Sequence, residues 1–477
     1  MTGAAFFDLD RTLLGGSSGE VFQRTLRAEG LGPDVDVPGL SVLNSLFGLV
    51  GETRMSMRLA KASSRAAKDW PTKLVKKAAE AAVPELLELV EPFVEIEFQR
   101  HRDAGRQIVM ATSSPMQLVK PLARALGVDD VLATTWATTK QPGQSQRVFS
   151  GGINGRFVWA RDKWLEVRDW CTEHGVDPRE SWAYSDSYYD VPMLSGVGNP
   201  VAVNPDPRLA AVAALKGWPI RSLAKPEGVI TIGGVELQEL LRPLGRPELV
   251  PNADIEIQGL ENFPDGPAIV VGNHRSYFDP TVMGLLVARA GRSARFLGKK
   301  EVFDAPVLGQ MASAMGGIRV DRGTGSNEPL EKAIDALKAG EVVVIMPQGT
   351  IPRGPAFFDP VLKGRWGAAR LASASGAPIL PVGLWGTEKV WPRNQRLPNF
   401  DVADPPKITV NIGTPLYVDG EDLGADTEAM MSAISALLPP EANERIEPTT
   451  EQLMATFPPG YTGDPNAEHD RRPGSDT

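Results

Sequence analysis

One cysteine, Cys171, stands among 477 residues. It excludes an intrachain disulfide and any metal site built from several thiolates, and it fits a reducing compartment. Histidine is scarce as well, with four in the chain, so a histidine-based site has few possible members. No run of about 18 apolar residues occurs, so the usual signature of a membrane-spanning helix is missing. No N-terminal targeting pattern is visible either, because the apolar start is broken at Asp8 and Asp10. A cationic excess is also lacking. Fifty Lys and Arg against 59 Asp and Glu leave a net charge of −9, which argues against nucleic acid as the main partner.

What is present is the composition of a globular protein, 42% hydrophobic and 23% charged. The length predicts two or three domains. In the first half, apolar runs at 4–7, 107–111, 182–184 and 200–203 predict buried strands, and residues 116–126 and 162–174 predict helices between them. Strands alternating with helices predict a parallel α/β sheet. A helical insertion at about 17–103 is expected to cap the carboxyl end of that sheet. Residues 216–250, with several Gly and Pro, are expected to link two domains. A second α/β pattern follows. Strands are expected at 268–271, 293–297, 316–320, 341–346, 378–384 and 407–412, with helices at 279–290 and 364–374. The Pro/Gly/Asp-rich end, 457–477, is expected to be disordered.

At the end of the first apolar run, Phe7-Asp8-Leu9-Asp10-Arg11-Thr12-Leu13 places two carboxylates two residues apart. In extended chain they face the same side, about 7 Å apart. One can attack phosphorus while the other protonates the leaving oxygen, with a cation to offset the charge; Mg²⁺ prefers such carboxylates. Three later pieces stand at strand ends or helix starts, where open α/β sheets build sites. They are Thr112 after Val109-Met110-Ala111, Lys163 at a helix start, and Ser185-Asp186-Ser187-Tyr188-Tyr189-Asp190.

In this order the pieces resemble the haloacid dehalogenase superfamily, most closely its phosphoserine-phosphatase-like branch. The resemblance implies a Rossmann-like fold with a helical cap over residues 1–215. It casts Asp8 as nucleophile and Asp10 as general acid/base, with Thr112 and Lys163 holding the phosphoryl group. Asp8, Asp10, Asp186 and Asp190 become the Mg²⁺ set, Asp190 in a supporting role. Arg11 stands where many relatives have Gly.

The sharpest local pattern is Val271-Gly272-Asn273-His274-Arg275-Ser276-Tyr277-Phe278-Asp279-Pro280. An apolar strand delivers His274 into a loop, and Asp279 before Pro280 reads as a helix N-cap whose carboxylate can reach back to the imidazole. The other histidines are less suited. His101 lies in a charged helical stretch, His174 ends a helix before Gly175, and His469 lies in the tail. Asn-His-x4-Asp resembles the first motif of the glycerol-phosphate and lysophospholipid acyltransferases. Three more pieces follow in that family's order: Gly316 to Arg322, Met346-Pro347-Gln348-Gly349-Thr350, and Pro378 to Val382.

This second resemblance implies an α/β acyltransferase fold over 251–456. His274 becomes the general base, oriented by Asp279. Arg322, Gln348, Gly349, Thr350 and Arg353 become acceptor-binding residues. An acyl thioester of coenzyme A or a carrier protein becomes co-substrate, and a lysophospholipid or glycerol phosphate the acceptor. The sequence departs at Gln348, where the family usually has Glu. It departs again at Ile351-Pro352, which displace Arg353. Lys299, Lys300, Lys363 and Arg365 are therefore further phosphate candidates.

Arg54, Arg58, Lys61, Arg65 and Lys68 fall on one helical stripe, a face able to lie on an anionic membrane. The combined expectation is a bifunctional enzyme of phospholipid synthesis, cytoplasmic and peripheral on the inner face of the plasma membrane. The residues leave three rivals open: a silent phosphatase-like regulator, a phosphatase whose second domain only anchors it to lipid, and an acyltransferase for a non-phosphorylated acceptor.

Overall fold

The computed structural model describes residues 3–32, 57, 61, 63–140, 146–226, 229, 231–232, 235–304, 308–320 and 327–466. The chain divides into two compact units, Met1–Lys225 and Pro226–Thr477. Both are α/β, each with its own mixed, mostly parallel sheet.

In the first unit, β1 (Ala4–Phe7) is apolar and buried at every residue. A strand covered on both faces needs such a continuous run rather than alternation. It lies inside a sheet with β2 (Gln107–Pro115), β3 (Asp130–Lys140), β4 (Arg147–Asn154), β5 (Trp182–Ser185), β6 (Asn199–Val203) and β7 (Ile220–Arg221). The order is β4-β3-β2-β1-β5-β6-β7, and only the β3–β4 pair is antiparallel among the described residues. Parallel pairing brings the carboxyl ends of β1, β2 and β5 to one edge. Asp8, Thr112 and Asp186 are thereby gathered although they are far apart in sequence.

Strands β3 and β4 carry no buried run that sequence reading detects. Both are half-exposed, rich in Thr or Gly, and held as a hairpin by Trp136, whose ring meets Phe149 at 5.4 Å and Trp70 at 6.3 Å. The insertion expected as a cap divides. Its helix Val94–Asp103 packs on the sheet, with Phe98 buried and meeting Phe7 at 4.9 Å between ring centroids. Burying such a ring stabilises the fold by about 1.5–3 kcal/mol, which ties that helix to the sheet layer rather than to a cap. Arg54 and Arg58 of the basic stripe lie outside the described residues, while Lys61, Arg65 and Lys68 are exposed.

The stretch 216–250, expected as a linker, is largely built into the two units. β7 closes the first sheet. β8 (Thr231–Ile232) pairs with β9 (Val235–Glu236) in the second unit. Glu236 is anchored there because Arg295, 1% exposed, donates to its Oε1 at 2.6 Å and to Glu341 Oε1 at 2.9 Å.

The second sheet comprises β10 (Asp254–Gln258), β11 (Ala268–Gly272), β12 (Ala294–Lys299), β13 (Ile318–Val320), β14 (Val342–Ile345), β15 (Ile379–Trp385) and β16 (Lys407–Ile412). Its order is β10-β16-β15-β11-β14-β12-β13, with β15–β16 antiparallel. Alternate residues of β11 feed opposite faces, Val270 into one apolar cluster and Ile269 and Val271 into the other. Phe457, expected in the disordered tail, is fully buried and stacks on Tyr461 at 4.0 Å. Among the described residues, no helix is long and apolar enough to cross a membrane.

Candidate functional sites

At the carboxyl edge of the first sheet, Lys163 is completely buried and donates to two carboxylates, Asp8 Oδ1 at 2.8 Å and Asp190 Oδ2 at 2.6 Å. A buried ammonium is stable only when paired in this way. Ser185 Oγ donates to the same Asp190 oxygen at 2.7 Å, so Asp190 serves to position Lys163. Thr112 is buried in β2, and its hydroxyl accepts the Ser114 N–H at 3.2 Å. Asp186 is held from two sides: its N–H donates to Thr12 Oγ1 at 3.1 Å, and its Oδ2 meets Arg11 Nε at 3.0 Å. Arg11 itself has a left-handed φ of 61°. Thr12 and Ser185 are contributors that sequence reading passed over; their position beside the carboxylate motifs was the available signal.

Asp10 accepts from the Ser18 N–H and from Ser114 Oγ at 3.4 Å. Burial pushes its carboxyl above the usual range, against the lowering effect of these hydrogen bonds. A carboxyl whose pKa is raised suits a general acid. The four-carboxylate Mg²⁺ set is not gathered as such. Among the described residues, no group of three or more His, Cys, Asp or Glu side chains forms a ready cation cage. Asp10 is turned to the two serines and Asp190 to Lys163. Asp8 and Asp186 are left as the oxygen donors, which still fits Mg²⁺, an ion commonly held by one or two carboxylates plus substrate phosphate. Asp190 Oδ1 is buried without a hydrogen-bond partner among the described residues.

In the second unit, β11 ends at Gly272 and the chain turns. Asn273 fixes the turn, donating from Nδ2 to Leu384 O at 2.8 Å and accepting from Leu384 N at 2.7 Å. His274 Nδ1 lies 2.7 Å from Asp279 Oδ2. That carboxylate is fully buried, and the same oxygen accepts the N–H groups of Arg275 at 2.6 Å and Ser276 at 2.8 Å. Asp279 is therefore not the N-cap expected for the helix Asp279–Arg289. It is the first helical residue, Phe278 is the cap position, and no side-chain cap bond forms. The carboxylate folds back over the preceding loop instead. Pro280, which has no N–H to satisfy, makes this geometry possible at the helix start.

Gln348 joins this dyad from β14's loop. Its Oε1 accepts the His274 N–H at 2.5 Å, and the residue is 6% exposed. Gly349 makes the turn at φ 69°, a left-handed conformation that suits glycine. A cleft of about 770 Å³ opens beside the imidazole. Gln348, Thr350, Arg353, Lys363, Arg365 and Lys299 line it, with Phe357 and Phe358 on an apolar wall. Lys300 is exposed on the adjoining short helix. Arg322 lies outside the described residues. With Nδ1 held by Asp279, the imidazole has Nε2 left for a substrate hydroxyl.

The lysine-bridged aspartate pair of one α/β unit and the His–Asp dyad over a cleft in the other are the settings of a hydrolase-like domain and an acyltransferase domain. The haloacid dehalogenase-like hydrolase model matches residues 5–195, and the acyltransferase model matches residues 254–385. Phosphoserine phosphatase SerB1 of Mycobacterium tuberculosis is 33% identical over 236 residues, 49% of this chain and 75% of that one. The inhibition of morphological differentiation protein of Streptomyces azureus is 32% identical over 228 residues, 47% and 79% of the two chains. The chloroplastic 1-acyl-sn-glycerol-3-phosphate acyltransferase BAT2 of Brassica napus is 26% identical over 261 residues, 49% and 70%. The chain belongs to the haloacid dehalogenase-like hydrolases through its first unit and carries an acyltransferase domain in its second.

Proposed function

We propose that the chain is a bifunctional enzyme of phospholipid synthesis. Its second unit transfers an acyl group from a thioester of coenzyme A or a carrier protein to a lysophosphatidate-like acceptor. Its first unit hydrolyses a phosphomonoester with Mg²⁺. The observation that carries the first activity is the 2.7 Å contact between His274 and the buried Asp279 at the edge of the cleft.

In acyl transfer, His274 Nε2 takes the proton of the acceptor hydroxyl as its oxygen attacks the thioester carbonyl. Asp279 holds the tautomer and stabilises the imidazolium that forms. The tetrahedral intermediate collapses with cleavage of the C–S bond, and the proton passes from His274 to the leaving thiolate. No acyl-enzyme forms, so no serine or cysteine nucleophile is required. The cations of the cleft suit an acceptor phosphate, and Phe357 and Phe358 suit an apolar chain.

In phosphomonoester hydrolysis, an oxygen of Asp8 attacks phosphorus while Asp10 gives its proton to the leaving oxygen. Water then cleaves the aspartyl phosphate, and Asp10 takes the water's proton. Lys163 pairs with Asp8 and neutralises the phosphoryl oxygens. Asp8 and Asp186 would hold Mg²⁺, which supplies further neutralisation of the transferring group.

The decisive experiment is a panel of phosphorylated and non-phosphorylated acceptors with one labelled acyl-CoA, run on wild type and His274→Ala. Acylation of lysophosphatidate that disappears in His274→Ala supports the reading; equal acylation by both proteins removes it. A peripheral place on the cytoplasmic leaflet completes the proposal. It is tested by flotation with anionic vesicles, and flotation that is indifferent to replacing Arg54, Arg58, Lys61, Arg65 and Lys68 removes the basic stripe from that role.

A further inference from the structure

Arg365 stands just before the helix Gly367–Ser375 and lines the cleft beside His274. Its backbone is fixed from both sides. The preceding residue, Gly364, lies against the helix Leu423–Ala436, where an added Cβ would sit 2.8 Å from Met431 Sδ and 3.0 Å from Thr427 Cγ2. The Arg365 N–H donates to Pro347 O at 2.9 Å. Pro347 precedes Gln348, whose Oε1 accepts the His274 N–H. Arg365 is thereby tied to the loop that holds the imidazole.

Its side chain lacks what a buried cation requires. Arg365 is half-buried, and its Nε is shut from solvent with no hydrogen-bond partner among the described residues. Arg275 and Arg393 also bury an Nε in this way. Each of them uses another guanidinium nitrogen, Arg275 on Glu388 Oε1 at 3.1 Å and Arg393 on Ile351 O at 2.5 Å. The Arg365 guanidinium makes no such bond among the described residues. A charged donor enclosed without an acceptor destabilises a fold, so the position calls for an acceptor from outside the chain.

Two more cations face the same space. Lys363 and Arg445 line the cleft and are exposed, and neither side chain meets a hydrogen-bond or ion-pair partner among the described residues. The carboxylates of the cleft, Asp359 and Glu447, form no ion pair with Arg365, Lys363 or Arg445 among the described residues. Lys299 and Arg353 line it too, each with interactions of its own. Arg445 comes from the chain end, downstream of all four pieces of the acyltransferase pattern. Thr456 straps that end down: its Oγ1 accepts the Gly354 N–H at 2.7 Å, and Phe457 beside it is fully buried.

We propose that Arg365, with Lys363 and Arg445, grips a phosphate group of a substrate of the His274 site and so selects phosphorylated ligands. A guanidinium presents paired N–H donors to phosphate oxygens, and a lysine adds charge without fixed geometry. The phosphate accepts the Nε–H that the fold leaves open. The identity of the ligand rests on the acyl-transfer reading, in which the phosphate belongs to the acceptor or to coenzyme A.

The test is calorimetric titration of the full chain in magnesium-free buffer. One arm uses a short-chain lysophosphatidate, the other coenzyme A, each without the second substrate. Wild type is compared with Arg365→Gln and with Lys363→Glu and Arg445→Glu combined, whose exposed positions leave the fold in place. Phosphate bound at Asp8 is common to all three proteins. The expected result is that one ligand binds about tenfold or more weaker in both variants, and that ligand is the source of the phosphate. Arg365→Gln should melt no lower than wild type, since the fold makes no bond to that guanidinium, whereas a structural arginine would lower the melting temperature. Weakened binding beside an inactive wild type in the acceptor panel removes the acyl-transfer reading and leaves this site standing. Equal binding of both ligands by wild type and variants, or no binding by wild type, overturns the proposal.

Discussion

Asp279 Oδ2 meets His274 Nδ1 at 2.7 Å while accepting two backbone N–H groups from the loop between them. One oxygen therefore both orients the imidazole and shapes the turn that presents it. Asp279→Asn keeps the volume but removes the charge and the sole-acceptor character. The expected result is a fall in acyl-transfer kcat of about 10²–10⁴-fold, with little change in acceptor KM. Steady-state kinetics on the purified chain decide, and an unchanged kcat means that this carboxylate does not serve the base.

Gln348 is the departure from the family pattern that the structure explains. Its Oε1 accepts the His274 N–H, a task that glutamate performs equally well. Gln348→Glu should retain acyl transfer. Gln348→Leu leaves a buried N–H without an acceptor, at about 1–3 kcal/mol, and should lower both melting temperature and kcat. Activity in Gln348→Leu equal to wild type counts against a positioning role.

Lys163 lies between Asp8 and Asp190 with no exposed surface. Lys163→Met removes the cation that Asp8 and Asp190 share in the interior. Breaking a buried pair from one side costs about 3–5 kcal/mol. Phosphatase turnover should vanish and the denaturant midpoint of the first unit should fall. A midpoint equal to wild type shows that the ion pair is not formed in solution.

Asp10 and His101 predict opposite pH behaviour. Burial raises the Asp10 carboxyl above its ordinary 3.8, so the folded state holds that proton more tightly than the unfolded state. Its stabilisation is complete below 3.8 and is lost as pH rises through the raised value. Asp10→Asn should therefore melt higher than wild type at about pH 7, with the gap closing toward acid, while phosphatase activity is abolished. A gap that widens toward acid contradicts the assignment.

His101 is depressed from 6.5 to about 4 by burial. Its neutral form is favoured in the fold, so its contribution is present above 6.5 and disappears as pH falls through about 4. That shift corresponds to about 3 kcal/mol. His101→Gln should flatten the acid side of the melting profile, which thermal scans across this window record. A profile as steep as wild type leaves His101 without the assigned role.

Much of both sites was legible in the chain because apolar runs end directly in polar residues. Val109 to Thr112 and Ile269 to His274 each deliver a functional group at the end of a buried strand. The burial of His101 was not legible in the chain. The residue lies in a stretch dense with charge, and its burial depends on Tyr184, 83 residues away, and on the ring of Phe7. Strands β3, β4 and β10 were missed because edge or hairpin strands bury only part of one face and carry no continuous apolar run.

By itself the sequence determined the fully buried strands and which carboxylates and imidazole stand at their ends, since local hydrophobic runs and turn residues set these. Tertiary structure alone decided that Lys163 bridges Asp8 and Asp190, that Gln348 reaches His274 across 74 residues, and that Asp279 turns back from its helix. Such pairings depend on strand order and register, and on which polar groups lose water together. A local pattern of residues encodes none of these.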